Sequence, residues 1–121
     1  MKFICYPKCK TCQKAKKWLD EREIEYETRD IKEKNPSYHE LKKWFAASGL
    51  PLKRFFNTSG WAYKSLNLKD KLPAMKEDEC LKLLGTDGML IKRPLLIAGE
   101  TVLVNFVETE WEKALERVMN S

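Results

Sequence analysis

A chain of 121 residues, 43% hydrophobic and 34% charged, is long enough to bury one core, and a single domain over residues 1–121 is expected. No apolar run approaches the roughly 20 residues of a membrane span. Five glycines and five prolines are too few for a fibrous or low-complexity chain. Met1 to Tyr6 lacks the apolar stretch of a signal peptide, so a cytoplasmic monomer without membrane contact is expected. The net charge of +5 comes from 23 basic and 18 acidic residues, a mixture suited to solvated faces. Nothing in the chain resembles a DNA-reading helix, and no direct DNA binding is expected. One local excess stands out, Lys8, Lys10, Lys14, Lys16 and Lys17, which surround a cysteine pair.

In chain order, Lys2 to Tyr6 is short, apolar and β-prone, and Tyr6-Pro7-Lys8 turns out of it. Cys9 to Arg22 reads as a helix, because Cys12, Ala15, Trp18 and Leu19 fall on one face. Ile24 to Ile31 alternates as a second strand, giving a β-α-β opening in which the helix crosses between parallel strands. From about residue 32 to 88 the pattern is helical. Ser37 with Glu40 forms a capping box, Leu41, Trp44, Phe45 and Ser48 make an inner face, and Gly49-Leu50-Pro51 ends that helix. A short helix is expected through Tyr63 and Leu66, and another over Lys76 to Leu84. Arg93 to Ala98 and Thr101 to Val104 form a hairpin about Gly99-Glu100. Thr109 can cap a last helix that buries Trp111, Leu115 and Val118. The order predicts an α/β thioredoxin-like fold, a β-α-β … β-β-α mixed sheet with a helical insertion between the second and third strands.

The single histidine, His39, leaves little for a Ser/His/Asp triad or a His-rich metal site. The four cysteines, Cys5, Cys9, Cys12 and Cys80, carry more. Cys9-Lys10-Thr11-Cys12 lies where the first strand gives way to the first helix. A helix N-terminus presents unpaired N–H groups and a positive dipole end to Cys9, and Lys8 and Lys10 add positive potential. Both lower a thiol pKa and raise the thiolate fraction. Cys12, one turn inside the helix, is placed to resolve a mixed disulfide on Cys9. A zinc site built from Cys5, Cys9 and Cys12 with Cys80 or His39 is the competing reading, but no second C-x-x-C or C-x-x-H supports it, and no metal is expected. Two inert core cysteines are the other alternative. Arg93-Pro94 opens the third strand, and in thioredoxin-like folds the residue before that strand faces the C-x-x-C. Arg93 would bring a guanidinium suited to an oxyanion or a sulfur-bound acid, with a surface ion pair as its plainer explanation.

Tyr6-Pro7-x-Cys9-x-Thr11-Cys12-x-Lys14-Ala15, Phe56-Asn57-Thr58-Ser59-Gly60-x-x-Tyr63 and Lys92-Arg93-Pro94-Leu95-Leu96-Ile97 resemble the ArsC/Spx family across essentially the whole chain, including the insertion. That family contains glutaredoxin-linked arsenate reductases, Spx-type transcription regulators and reductase-like members. The resemblance implies that Cys9 is the reactive thiol, that Cys12 is the second switch cysteine (a position typically Ser in the arsenate reductases), and that Arg93 is the arginine of the family's Arg-Pro motif, with a cis bond to Pro94 beside Cys9. Two further arginines of the arsenate reductases fall at Asn57 and near Val104 to Phe106, where this chain has no arginine. An oxyanion there would lose charge-assisted hydrogen bonds.

The expected function is therefore thiol–disulfide oxidoreductase chemistry by Cys9, Cys12 and Arg93, with Lys8, Lys10, Thr11, Asn57 and Pro94 at the substrate. No tightly bound cofactor is expected; glutathione, a glutaredoxin or a thioredoxin would serve as electron donor, and a redox protein or thiol substrate as partner. Two alternatives follow from the same resemblance. One is a glutathione- and glutaredoxin-dependent arsenate reductase. The other is an Spx-type redox-sensing regulator that binds the RNA polymerase α subunit, with Gly49 near the glycine such regulators use for that contact.

Overall fold

In the computed structural model, which describes residues 1–120, strand β1 (Lys2–Cys5) lies inside a four-stranded sheet of order β2-β1-β3-β4. It pairs in parallel with β2 (Glu27–Asp30) and antiparallel with β3 (Leu95–Ala98). Strand β3 continues as a hairpin into β4 (Thr101–Val104). A parallel pair needs a crossover connection, and helix α1 (Lys10–Glu21) supplies it between β1 and β2. Between β2 and β3 run α2 (Tyr38–Ser48), α3 (Trp61–Ser65), α4 (Leu68–Lys71) and α5 (Glu77–Leu84). Helix α6 (Glu108–Met119) closes the described chain. This is the thioredoxin-like plan with a helical insertion that the sequence order predicts.

Strand alternation divides the core in two. Successive residues of β1 point to opposite faces. Phe3 and Cys5 therefore pack with Cys12, Ala15, Trp18 and Leu19 of α1 and with Trp111 and Leu115 of α6. Ile4 faces the other way, into the insertion cluster of Leu41, Trp44, Phe55, Phe56, Cys80, Leu81 and Leu84. Trp111 anchors the first cluster. Its ring meets Phe3, Trp18 and Phe106 edge to face, and its Nε1 donates to the Asn105 carbonyl at 2.8 Å. The four buried positions of α1 are those its periodicity predicts. The insertion is held to the sheet edge by a fork-to-fork pair, Arg29 Nη1 to Glu40 Oε2 at 2.7 Å and Nη2 to Oε1 at 2.9 Å. Glu40 also completes the predicted capping box with Ser37.

Three local expectations are corrected. The second strand is shorter than residues 24 to 31. Glu23 adopts a φ of 55° and the Ile24 N–H returns to the Leu19 carbonyl, so Ile24 closes α1 instead of starting β2. Thr28 is exposed on this edge strand. The last helix is not capped by Thr109: Asn105 turns the chain at a φ of 67°, Val107 takes the N-cap, and Thr109 lies exposed in the first turn. Phe45, Ser48 and Val118 are half-buried, leaving Leu41 and Trp44 to bury the α2 face and Trp111 and Leu115 that of α6. One glycine enforces close packing: a Cβ on Gly88 would stand 1.9 Å from the Ile31 carbonyl oxygen, so the segment before β3 can lie against the end of β2 only as glycine.

Candidate active site

Cys9 is the N-cap of α1, with extended φ and ψ of −83° and 123°, and its half-buried side chain stands at the end of the helix. Its own N–H is taken up by the Tyr6 carbonyl at 2.9 Å, which fixes the turn out of β1. The first turn of α1 carries no acidic residue to oppose the helix dipole. The sulfur closes no tight capping hydrogen bond. Its surroundings nevertheless favour the thiolate. Burial pushes the Cys9 thiol up, but the Cys12 N–H, the Cys12 thiol, the Arg93 guanidinium and the Thr11 N–H outweigh it, and the net direction is below the ordinary thiol value. Lys8 and Lys10, expected to supply the positive potential, are exposed and are not among these groups. Arg93 fills that part.

Cys12 is buried, and its sulfur accepts the Tyr6 N–H at 3.4 Å. Its thiol is pushed far up by the hydrogen bond it shares with Cys5, then by burial, with Cys9 adding to the same direction. Cys12 is therefore the proton holder between two other sulfurs. All four cysteines are free thiols.

Arg93 precedes β3, and the Arg93-Pro94 peptide is cis, as the family resemblance implies. Its guanidinium lies over the Tyr6 ring at 5.3 Å, and its Nε and Nη1 are buried without a hydrogen-bond partner among the described residues. A cavity of about 240 Å³ opens beside it, lined by Cys9, Thr11, Asn57, Ser59, Gly60, Lys92, Arg93 and Asn105. Of the sequence-predicted residues, the cavity thus gathers Cys9, Thr11, Asn57 and Arg93. Cys12 and Pro94 are buried and do not line it, and neither do the exposed Lys8 and Lys10.

Asn57 is held from two sides: its N–H donates to the Leu90 carbonyl at 2.8 Å, and its Oδ1 accepts from Ser59 Oγ at 3.3 Å. A Cβ on Gly60 would approach Asn57 Nδ2 to 2.6 Å, so a side chain there would displace the Asn57 amide. Lys92 and Asn105 were not singled out from sequence. The Lys92 signal was its place in Lys92-Arg93-Pro94. Asn105 lies in the stretch matched to an arginine of the arsenate reductases, at a left-handed φ that asparagine tolerates. Two amides, Asn57 and Asn105, thus line the cavity beside Arg93. Among the described residues, no three His, Cys, Asp or Glu side chains are arranged to hold a metal ion.

The profile of the ArsC family matches residues 5–114. The chain belongs to the ArsC family. Protein YusI of Bacillus subtilis (strain 168) is 57% identical over 111 residues, covering 92% of this chain and 94% of that protein. A crystal structure of an ArsC family related protein from Bacteroides fragilis superposes with a TM-score of 0.91 at 56% identity, covering 93% of this chain and 95% of that one. The global transcriptional regulator Spx of Enterococcus faecalis (strain ATCC 700802 / V583) is 30% identical over 112 residues, 92% of this chain and 83% of the regulator. No helix among the described residues is long and apolar enough to cross a membrane.

Proposed function

We propose that the protein is a thiol–disulfide oxidoreductase in which Cys9 is the nucleophile, Cys12 the resolving thiol and Arg93 the group that orients an anionic part of the substrate. The observation that carries this reading is the half-buried Cys9 at the N-cap of α1, on a cavity it shares with Arg93, with its thiol held below the ordinary value. The Cys9 thiolate attacks one sulfur of a substrate disulfide, that S–S bond breaks, and the other sulfur departs as a thiolate. Cys12 then attacks the Cys9 sulfur of the mixed disulfide. Its proton goes to the second departing thiolate, leaving a Cys9–Cys12 disulfide for a thiol donor such as glutathione, a glutaredoxin or a thioredoxin to reduce. A protein disulfide has a contact point at hand, since Trp61 directly follows the cavity-lining Gly60 and is 83% exposed.

A Cys12→Ser variant tests the assignment. Treated with oxidised glutathione, it should keep a glutathione adduct on Cys9, whereas the parent protein releases it and forms the internal disulfide. An adduct on Cys5 or Cys80, or one that persists equally in the parent, would refute the roles.

The similarity to Spx supports a second reading, a redox-sensing regulator that engages the RNA polymerase α subunit. Gly49 gives it little support. Its φ of 68° ends α2 in the left-handed conformation, a requirement of the helix terminus in its own right. Capture of the α C-terminal domain by the oxidised protein would favour the regulator; disulfide turnover without capture favours the enzyme.

A further inference from the structure

Cys5 is the thiol that the mechanism above leaves unused. It ends β1, 6% exposed, on the sheet face that α1 covers, and so shares a packed cluster with Cys12, 2% exposed, against which Cys9 also packs. The Cys12 sulfur accepts the N–H of Tyr6, the residue that follows Cys5, at 3.4 Å, and each of the Cys5 and Cys12 thiols shifts the titration of the other. Cys12 thus stands between two sulfurs, one at the mouth of the cavity and one in the core. Among the described residues, no three His, Cys, Asp or Glu side chains are grouped to hold a metal ion.

We infer that Cys5 is a third redox thiol, which takes Cys12 from the Cys9–Cys12 disulfide and returns Cys9 to the cavity as a free thiolate. The inference rests on the Cys9–Cys12 dithiol proposed above. In the step, the deprotonated Cys5 sulfur attacks Cys12 Sγ and a Cys5–Cys12 bond forms. The Cys9–Cys12 bond breaks, its electron pair leaves on Cys9, and the Cys5 proton passes to solvent. No net oxidation occurs, so no further oxidant is needed beyond the substrate disulfide that made the first bridge.

Two features favour this direction. The expelled sulfur is the better leaving group, because the donors around Cys9 stabilise its thiolate. With Cys12 in the disulfide its thiol proton is gone, and Lys16 is the group that favours the attacking Cys5 thiolate against burial and Asp30. The resulting bridge lies between two buried residues, out of reach of a bulky reductant, while Cys9 is free for a second encounter.

The test is disulfide mapping on the unmodified chain. The reduced protein is treated with one equivalent of oxidised glutathione, quenched in acid, alkylated with N-ethylmaleimide in denaturant and digested with trypsin without reduction. Cleavage after Lys8 and Lys10 separates the three cysteines, so each pairing gives a distinct peptide mass. The expected result is a Cys5–Cys12 bridge with Cys9 alkylated, appearing after the Cys9–Cys12 bridge. That species should be lost in a Cys5→Ala variant, where Cys9–Cys12 remains. A Cys9–Cys12 bridge with Cys5 always alkylated overturns this inference alone. Absence of any bridge among the three overturns the dithiol reading and this inference with it.

Discussion

Cys9 and Cys80 both stand at the beginning of a helix, yet their surroundings drive the two thiols in opposite directions. Cys9 caps α1, whose first turn has no carboxylate and whose end faces Arg93. Cys80 is the fourth residue of α5, behind Glu77, Asp78 and Glu79. Burial raises its thiol, and Glu79 and Glu77 add to the effect. Those carboxylates suit the helix, since Glu79 accepts the Lys76 N–H at 3.0 Å. The same substitution pattern that stabilises a helix N-terminus thus silences a cysteine near it. A helix terminus activates a thiol only where its positive end is left for the sulfur, and here an arginine from the segment before β3 reinforces it.

The largest effect should come from removing one thiol and not the other. Cys9→Ser should reduce disulfide turnover to the uncatalysed background. Cys80→Ala should leave it within about twofold, the range for a residue outside the site. Turnover of a small disulfide with a coupled reductant measures both, and a large loss in Cys80→Ala would break the comparison.

Arg93→Ala comes next. It should raise the Cys9 thiol, seen as an upward move in the midpoint of a pH–alkylation profile. It should also weaken binding of a sulfate or arsenate probe by about 1.5–3 kcal/mol, the range for a hydrogen bond to a charged group. Asn57→Arg should strengthen that binding while leaving disulfide exchange nearly unchanged, because the parent cavity has amides where an oxyanion clamp needs charge. Tight arsenate binding by the parent protein would place arsenate reduction first.

A smaller effect concerns the join between the two halves that carry these cysteines. Arg29 hydrogen bonds, against the opposing effect of burial and with help from the Ser37 N–H, hold the Glu40 carboxyl at about 2, below its ordinary 4.5. A depressed folded pKa means that this contribution is fully present above about 4.5 and is lost as pH falls from there towards about 2. Glu40→Gln should cost about 1–2 kcal/mol at pH 7, the charged-bond range discounted for partial exposure. Its deficit relative to the parent should shrink over that acid window. Urea melts at pH 7, 4 and 3 check the sign. The smallest effect belongs to Glu77→Gln, which should lower the Cys80 thiol slightly without making it the faster of the two to alkylate.

Strand β1 was legible as a short apolar, β-prone run, and α1 by the clean 3.6 period of Cys12, Ala15, Trp18 and Leu19. The insertion was less legible. Between Lys53 and Met75 it breaks into short helical pieces, α3 and α4 among them, too short to show a helical period, with Phe56, Tyr63 and Leu68 buried in the insertion cluster. Thr109 carries a capping signal that the tight turn at Asn105 overrides. In the site, Cys9, Asn57 and Arg93 could be read because each lies in a contiguous motif. Lys92 and Asn105 could not, since the β3–β4 hairpin brings them together from opposite ends. Cys5 had a signal in the alternation of β1, which puts it on the face that α1 covers. Lys8 and Lys10 showed the limit of charge counting, because sequence proximity to a thiol did not bring their ammonium groups to it.

The central claim is that the fold makes one thiol reactive among four. It is tested most directly by competitive alkylation of the native, reduced protein with iodoacetamide across pH 5 to 10, each cysteine followed by mass spectrometry. The account predicts that Cys9 is modified first, with a midpoint below that of an ordinary thiol, while Cys5, Cys12 and Cys80 lag behind it. Modification of Cys80 or Cys5 ahead of Cys9, or a Cys9 midpoint at or above the ordinary thiol value, would contradict it.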